Sequence, residues 1–397
     1  MLTILAYILL VLACLLAIPN LVLFLECAAA IVLPRRERAV NASDDVHPRI
    51  AVLVPAHNES ATLQPTIEDI KAQLREGDRL LVVADNCSDD TAAIAAAAGA
   101  EVIARNDFSK IGKGYALDFG FRHLSRDPPE IVIVIDADCR LTDGMIDRLA
   151  TTCSKTHRPA QALDLMISSD SSSINFKFAE FAWRVKNWVR PLGLSELNLP
   201  CQLMGTGMAF PWKVIRSADL ASGLIVEDLK FGLDLALAGR PPIFCPSAVV
   251  TSSFPTSAKS AENQRQRWEH GHIHLILTMA PRFLYLAVTR RNLNLLVLTL
   301  DMAVPPLALL GLLITALFVA AVVALFFGSS PAALIVSTIS LVLFAATVVA
   351  CWLKFGLDLL RTKEILSIAP YILNKIRLYC GLLFRGRVSR WIRTDRN

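Results

Sequence analysis

From Met302 to Leu353 the chain carries no charged residue. A single helix of that length would reach roughly 78 Å at 1.5 Å per residue, more than twice the ~30 Å hydrocarbon core of a bilayer. Gly328-Ser329-Ser330-Pro331 interrupts the run near its middle. The pattern therefore predicts a transmembrane helical hairpin, 302–327 and 332–353. In lipid the backbone must satisfy its own hydrogen bonds, so helices are the form expected of both halves.

A second apolar run opens the chain. Residues 1–34 hold one charge, Glu26. Leu2 to Leu25 is long enough to span. A cleavable signal peptide would need a basic start and a shorter apolar stretch, so a retained N-terminal transmembrane helix is expected. Arg35, Arg36 and Arg38 follow it, which puts the next segment in the cytoplasm by the positive-inside rule. The hairpin returns the chain to that side. There the tail from Lys354 carries ten Lys/Arg against three Asp/Glu, or +7 of the net +5, leaving −2 elsewhere. Such a tail fits an anionic lipid surface rather than nucleic acid. Within 354–397, residues 364–384 mix apolar side chains with Lys375 and Arg377 and suit a helix lying in the interface. The nine cysteines show no CxxC pair and an odd count, as expected of reduced cytosolic thiols. The expected localisation is a multi-pass protein of a bacterial inner membrane.

Residues 48–272 differ. They are rich in charge, Gly and Pro, and hold no run long enough to span. They read as a cytosolic domain, joined to the hairpin by an interfacial segment, 273–301. Val-rich runs at 49–55, 79–85, 101–104 and 130–136 alternate with helical stretches, including one to about Arg75, an alanine-rich one between Ser88 as cap and Gly99 as stop, and one at 112–124. This alternation predicts an α/β domain with a mostly parallel sheet and helices on both faces.

Three of these strands run into polar residues: His57-Asn58-Glu59, Asp85-Asn86 and Asp136-Ala137-Asp138. One polar strand end is an ordinary loop. Three in one sheet point to a ligand, because open α/β sheets bind outside the carboxyl ends of strands. There is no GxGxxG after the first strand, so a dinucleotide site is not expected. "IGKGYA" lacks the Walker spacing but can bring Lys113 and a helix N-terminus to a phosphate. Asp136 and Asp138 suit a hard cation, Mg²⁺ or Mn²⁺, of the kind that bridges to a diphosphate. Gly205-Thr206-Gly207 is a side-chain-poor turn where a ligand can meet backbone. Glu227-Asp228 opens an amphipathic helix; acids there favour the helix dipole, and a paired acid beside a cleft is also a candidate base. "NQRQRWEHGHIH", Asn263 to His274, is either an interfacial anchor or an anion site. Its His270, His272 and His274 lack the HExxH pattern and read as interfacial polar residues.

In order, "VPAHNE", "VVADNCSDDT", "GKGYAL", "DAD", "GTGMAF", "VED" and "QRQRW" span Val54 to Trp268. Together they resemble a membrane-bound family-2 glycosyltransferase of the cellulose-, chitin- or hyaluronan-synthase-like kind, with ceramide-glucosyltransferase-like enzymes carrying a related signature. The resemblance implies a GT-A nucleotide-sugar-binding domain over 48–272. It implies that Pro55, Glu59 and Asp85 serve the nucleotide, Glu59 and Asp85 holding the uridine. Lys113 would sit near the sugar–phosphate with Asp136, and Asp138 with Asp136 would hold the metal. Asp228, with Glu227 beside it, would be the catalytic base. Gly205, Thr206, Gln264, Arg267 and Trp268 would serve the acceptor and pyrophosphate end. The implied partners are a UDP-sugar, a polysaccharide or lipid acceptor, the bilayer, and polysaccharide-export or assembly proteins. The sequence departs from the family pattern at Asn86, where a second Asp is usual, in a second motif one residue short before Thr91, and at His57, where Tyr is common. A receptor or scaffold is the reading from another class; intact Asp136, Asp138 and Asp228 argue for catalysis.

Overall fold

A computed structural model describes residues 2–35, 47–168, 173–216, 218, 220–221, 226–255, 258–365 and 367–385. Its centre is an eight-stranded sheet of β1 (Ile50–Ala56), β2 (Arg79–Asp85), β3 (Glu101–Arg105), β4 (Ile131–Val134), β5 (Cys139–Leu141), β6 (Ala160–Ile167), β7 (Met208–Pro211) and β8 (Ile243–Ser253). The order is β3-β2-β1-β4-β7-β6-β8-β5. The first four strands in that order are parallel, as the alternation predicts; β7 runs antiparallel to both β4 and β6, and β5 antiparallel to β8.

Helix α1 (Leu2–Val32) precedes the sheet, and α2 (Leu63–Lys71), α3 (Thr91–Ala97), α4 (Lys113–Leu124) and α5 (Met145–Thr156) lie between its strands. Because β1 is covered on both faces, it is apolar throughout rather than alternating. Ile50, Val52 and Val54 pack with Ile67, Ile70 and Leu149 from α2 and α5, while Ala51 and Leu53 pack with Leu117, Phe121 and Leu124 from α4. Gly120 lets α4 approach the sheet: a Cβ there would lie 2.5 Å from Leu53 Cδ1. Helix α3 ends at Gly99 as expected, in the left-handed conformation with φ 80°. Its start differs. The helix begins at Thr91, with Asp90 at the cap position, and Ser88 instead donates its amide to Asn58 Oδ1 at 2.7 Å.

After β6 come α6 (Ile174–Arg184), a π-helical turn over Val185–Val189, and α7 (Arg190–Glu196); the short α8 (Trp212–Ile215) and α9 (Glu227–Leu237) follow β7. Helix α7 lies directly on α1. A Cβ at Gly193 would sit 1.8 Å from the Glu26 carbonyl oxygen, so only glycine fits this crossing.

The remaining helices are α10 (Ala258–Thr289), α11 (Leu293–Met302), α12 (Leu307–Phe326), α13 (Ala332–Phe355), α14 (Thr362–Ile365) and α15 (Ile368–Arg385). The hairpin is α12 and α13, and α1 packs against both. Its first helix starts at Leu307 rather than 302, because Pro305 and Pro306 separate it from α11. Among the described residues four helices are long and apolar enough to cross a membrane: α1, α12 and α13, with mean hydropathies of 2.9, 2.9 and 2.5, and most of α10, at 1.2. The boundary expected at 272 falls inside α10, which is continuous there. Its apolar residues Leu275, Ala280, Phe283 and Ala287 form one core with Leu229 and Leu233 of α9 and Leu295 and Leu298 of α11. The "QRQRW" stretch thus lies in the N-terminal half of a helix whose C-terminal half is docked on α9 and α11.

Candidate active site

The sheet order explains why separate motifs meet. Strand β4 pairs with β7 in the register Val134↔Met208. Continuing that antiparallel register brings Asp136 opposite Thr206, and the Asp136 amide donates to Thr206 Oγ1 at 3.1 Å. The turn before β7 is held from below by Gln161, which is fully buried on β6. Its Oε1 accepts from the Met204 amide at 2.8 Å and its Nε2 donates to the Thr206 carbonyl at 2.9 Å. Gly205 and Gly207 take φ 91° and 64° in this turn.

Lys113, the first residue of α4, donates to Asp136 Oδ1 and to the Gly205 carbonyl, the latter at 2.8 Å. Asp228, in the first turn of α9, comes to the same place. A Cβ on Gly205 would lie 3.5 Å from Asp228 Oδ2 and 3.6 Å from Lys113 Nζ. These residues share a cleft of about 250 Å³ with Asp138, Thr206, Glu227, Gln264, Arg267 and Trp268. Of the residues singled out from the sequence, ten therefore line one cleft. Pro55, Glu59 and Asp85 do not line it; they sit at the carboxyl ends of the neighbouring β1 and β2. Asp85 is buried and accepts from Arg105 Nη1 at 2.5 Å. Glu59 Oε2 accepts from Thr62 Oγ1 at 2.6 Å, and the Glu59 amide donates to Thr91 Oγ1 at 2.7 Å. His57 donates a ring N–H to the Asp85 carbonyl at 2.7 Å, tying the first two motifs together.

Among the cleft residues not singled out from the sequence are Asp164, Lys186 and Arg190. Asp164 of β6 is 2 % exposed and accepts from Asn187 Nδ2 at 3.0 Å. Lys186 projects from the π-helical turn, a distortion that often marks functional sites, and its ammonium stands 5.6 Å from the Trp183 ring centre. Arg190 is buried one turn later. Its Nε donates to Glu26 Oε2 at 2.6 Å, and its Nη2 donates to the Asp301 carbonyl at 2.7 Å and to the Asp301 carboxylate. Lys186 and Arg190 are four apart beside tryptophans in "WRVKNWVR", and Glu26 is the lone charge of an apolar run. Those were the available signals.

The electrostatics favour cationic guests. Six carboxylates line the cleft (Asp136, Asp138, Asp164, Glu227, Asp228 and Asp301) against four cations, Lys113, Lys186, Arg190 and Arg267. Burial raises the Glu227 pKa to about 8, with the adjacent Asp228 carboxylate adding to it. Burial also lifts Asp228 above the usual carboxylate range, opposed by Lys186 and Lys113. Asp164 is pushed up by burial to about 7. Burial pulls Lys113 down, but Asp136 and Glu227 outweigh it and its pKa is raised. Lys186 is open to solvent through the cleft, yet the surrounding protein lowers its pKa, with Asp228 opposing.

A carboxyl held above its unfolded value stabilises the fold fully below the unfolded pKa, and that contribution is lost as pH rises through the folded pKa. For Glu227 the window runs from 4.5 to about 8. Glu227→Gln should therefore flatten the decline in melting temperature of the ligand-free protein between pH 5 and 9, read by thermal unfolding in detergent. An unchanged slope would mean that Glu227 is not the group responsible.

Two carboxylates two residues apart in a cleft with excess negative charge fit a divalent cation completed by a diphosphate. Among the described residues no three of His, Cys, Asp and Glu converge into a ready-made metal cage. His272 is accounted for otherwise: its Nε2 donates to the Met302 carbonyl at 2.8 Å, tying α10 to the end of α11.

The family model described as glycosyltransferase like family 2 matches residues 47–271, from the first strand through the QRQRW helix. The chain belongs to this glycosyltransferase family. It is 23% identical over 250 residues to the probable glycosyltransferase YdaM of Bacillus subtilis, covering 59% of this chain and 58% of that one. It is 38% identical over 96 residues to glucosyl-3-phosphoglycerate synthase of Mycobacterium tuberculosis, covering 22% of this chain and 28% of the synthase. The chain thus spans under two thirds of the length of these curated relatives. Among solved structures it resembles the mannosyltransferase PcManGT from Pyrobaculum calidifontis, in complex with GDP-Man and Mn²⁺. The TM-score is 0.57 at 16% identity, over 96% of this chain and all of that one. The match shows a common GT-A fold with its helices.

Proposed function

We propose that this enzyme transfers a hexosyl group, with inversion, from a UDP-sugar to a hydroxyl of a β-linked oligosaccharide or polysaccharide growing at the membrane face. The observation that carries the reading is the gathering of Lys113, Asp136, Asp138, Gly205, Asp228 and Arg267 on one cleft. Transfer to a lipid acceptor is a second reading, supported by a further cavity that shares a wall with this cleft.

Asp228 is the general base. It takes the proton of the acceptor hydroxyl as that oxygen bonds to the anomeric carbon. The carbon's bond to the diphosphate oxygen breaks on the opposite face, and UDP leaves with the electron pair. The nucleophile attacks from the Asp228 side of the Gly205 turn, and Lys113 stands ready for the phosphate end. Asp138 and Asp136 would hold Mg²⁺ or Mn²⁺, which when bound offsets the charge of the departing diphosphate. Arg267 offers two parallel N–H groups to the same anion. Glu227, protonated beside Asp228, keeps the pair from carrying two full charges. Pro55, Glu59 and Asp85, on the neighbouring strand ends, would take the nucleoside, with the Asp85–Arg105 pair fixing one edge of its site.

The membrane placement supports a multi-pass protein with α1, α12 and α13 crossing and α10 docked on the domain rather than spanning, since its apolar side is used against α9 and α11. The basic residues that flank these helices in the sequence support a domain on the cytoplasmic side, where nucleotide sugars are made.

The test is transfer from a panel of UDP-sugars by enzyme purified in detergent, scoring both labelled lipid and water-soluble product. Chelation with EDTA is expected to lower transfer at least about 100-fold, with recovery on adding Mn²⁺ or Mg²⁺. Full activity in EDTA would remove the metal from the account.

A further inference from the structure

Behind Trp268 the catalytic cleft meets a second cavity of about 110 Å³. The two share Trp183, Lys186, Arg190, Trp268 and His272 as a common wall. Trp183 and Trp268 pack with ring centres 5.2 Å apart at that wall. Part of the remaining lining comes from the helices read as spanning or lying on the membrane. Leu23 belongs to α1, Leu307 opens α12, and Tyr371 and Lys375 belong to α15.

Its charge is uneven. Arg190 is already satisfied by Glu26 and Asp301, and Lys375 is paired with Glu269. Lys186 and Arg265 complete the cationic lining, Lys186 also feeling Asp228 and Asp164 across the shared wall. Four cations and the single carboxylate of Glu269 thus line this cavity among the described residues, and that excess of positive charge beside apolar walls invites an anion. Leu23 and Leu307 offer that anion no hydrogen bond, so a small hydrated phosphate would leave those walls unused. A lipid uses both.

We propose that this cavity binds the phosphate of a lipid-linked acceptor, between Lys186 and Arg265. The tail passes Leu23 and Leu307 into the bilayer, and a hydroxyl of the headgroup passes the tryptophan pair to face Asp228. This inference rests on the transferase reading above and names the class of its acceptor: a phosphate-bearing lipid that carries a sugar or polyol. The enzyme then extends a glycan that is anchored while it grows. The cavity holds the phosphate and the first carbons, and the chain beyond them lies in lipid.

The experiment is native mass spectrometry of the full-length enzyme released from detergent, with dioleoyl phosphatidic acid, dioleoylglycerol and glycerol 3-phosphate as probes and UDP as an internal control. The expected result is one retained phosphatidic acid per chain, at least tenfold preferred over dioleoylglycerol, with glycerol 3-phosphate not retained. Arg265→Glu should weaken that retention at least tenfold, while Arg265→Lys restores it. Equal retention of dioleoylglycerol overturns the phosphate site. Retention of glycerol 3-phosphate as well as the lipid points to a free-phosphate site and overturns the lipid. An unchanged affinity in Arg265→Glu overturns the placement. UDP that fails to bind the same preparation counts against the donor reading instead, so the two failures are told apart.

Discussion

Asp228→Asn is expected to lower sugar transfer about 10³-fold or more while UDP still binds. The substitution keeps the shape and hydrogen-bonding reach of the side chain but removes its basicity, and a positioned base contributes typically about 10²–10⁴-fold. Burial lifts Asp228 above the usual carboxylate range, which makes the native group a better proton acceptor than a solvent-exposed aspartate would be. The same shift fixes the sign of the pH dependence. Activity should fall as pH drops through that raised pKa, at a pH above the ordinary carboxylate range, because only the ionised form accepts a proton. Transfer rates with the donor established by the panel, beside UDP binding by calorimetry, decide it. A variant that keeps both transfer and the acid limb would place the base elsewhere.

Arg190→Met carries the largest expected loss of stability. Arg190 is buried between Glu26 of α1 and Asp301 of α11, with hydrogen bonds of 2.6 and 2.7 Å among its contacts. A methionine fills the space but leaves two carboxylates facing each other without their cation. Breaking a buried pair in this way costs about 3–5 kcal/mol. Thermal unfolding in detergent should show the loss, and adding Glu26→Leu to Arg190→Met should recover part of it. If the single variant melts with the native protein, the cluster does not hold α1 to the domain.

Much of this was written in the chain. Strands β1 to β4 were legible because a doubly covered parallel strand must be a short, continuous apolar run, and each is followed by a loop of turn-forming residues. The hairpin was legible because charge is excluded from the bilayer, and only its prolines moved the first helix start. The DxD, ED and QRQRW segments were legible as types of chemistry. Their convergence was not, because it depends on β7 pairing antiparallel with β4, a contact between residues more than seventy positions apart. Gln161 and Asp164 look like ordinary residues of a mixed strand until β6 is set beside β7. Lys186 and Arg190 sit in a stretch whose helical period reads as amphipathic, and the π-helical turn that aims Lys186 into the cleft leaves no local signature. The extent of α10 was missed for a related reason. Its apolar half pairs with α9 across the fold, so the composition change at residue 272 looked like a boundary.

The central claim is a single displacement at one cleft, and the anomeric configuration of the product tests it most directly. Product formed from an α-linked UDP-sugar is to be examined by proton NMR, reading the coupling of the transferred sugar's anomeric proton. The account predicts a β-linkage. An α-linkage, retained from the donor, would contradict it and require a different assignment for Asp228.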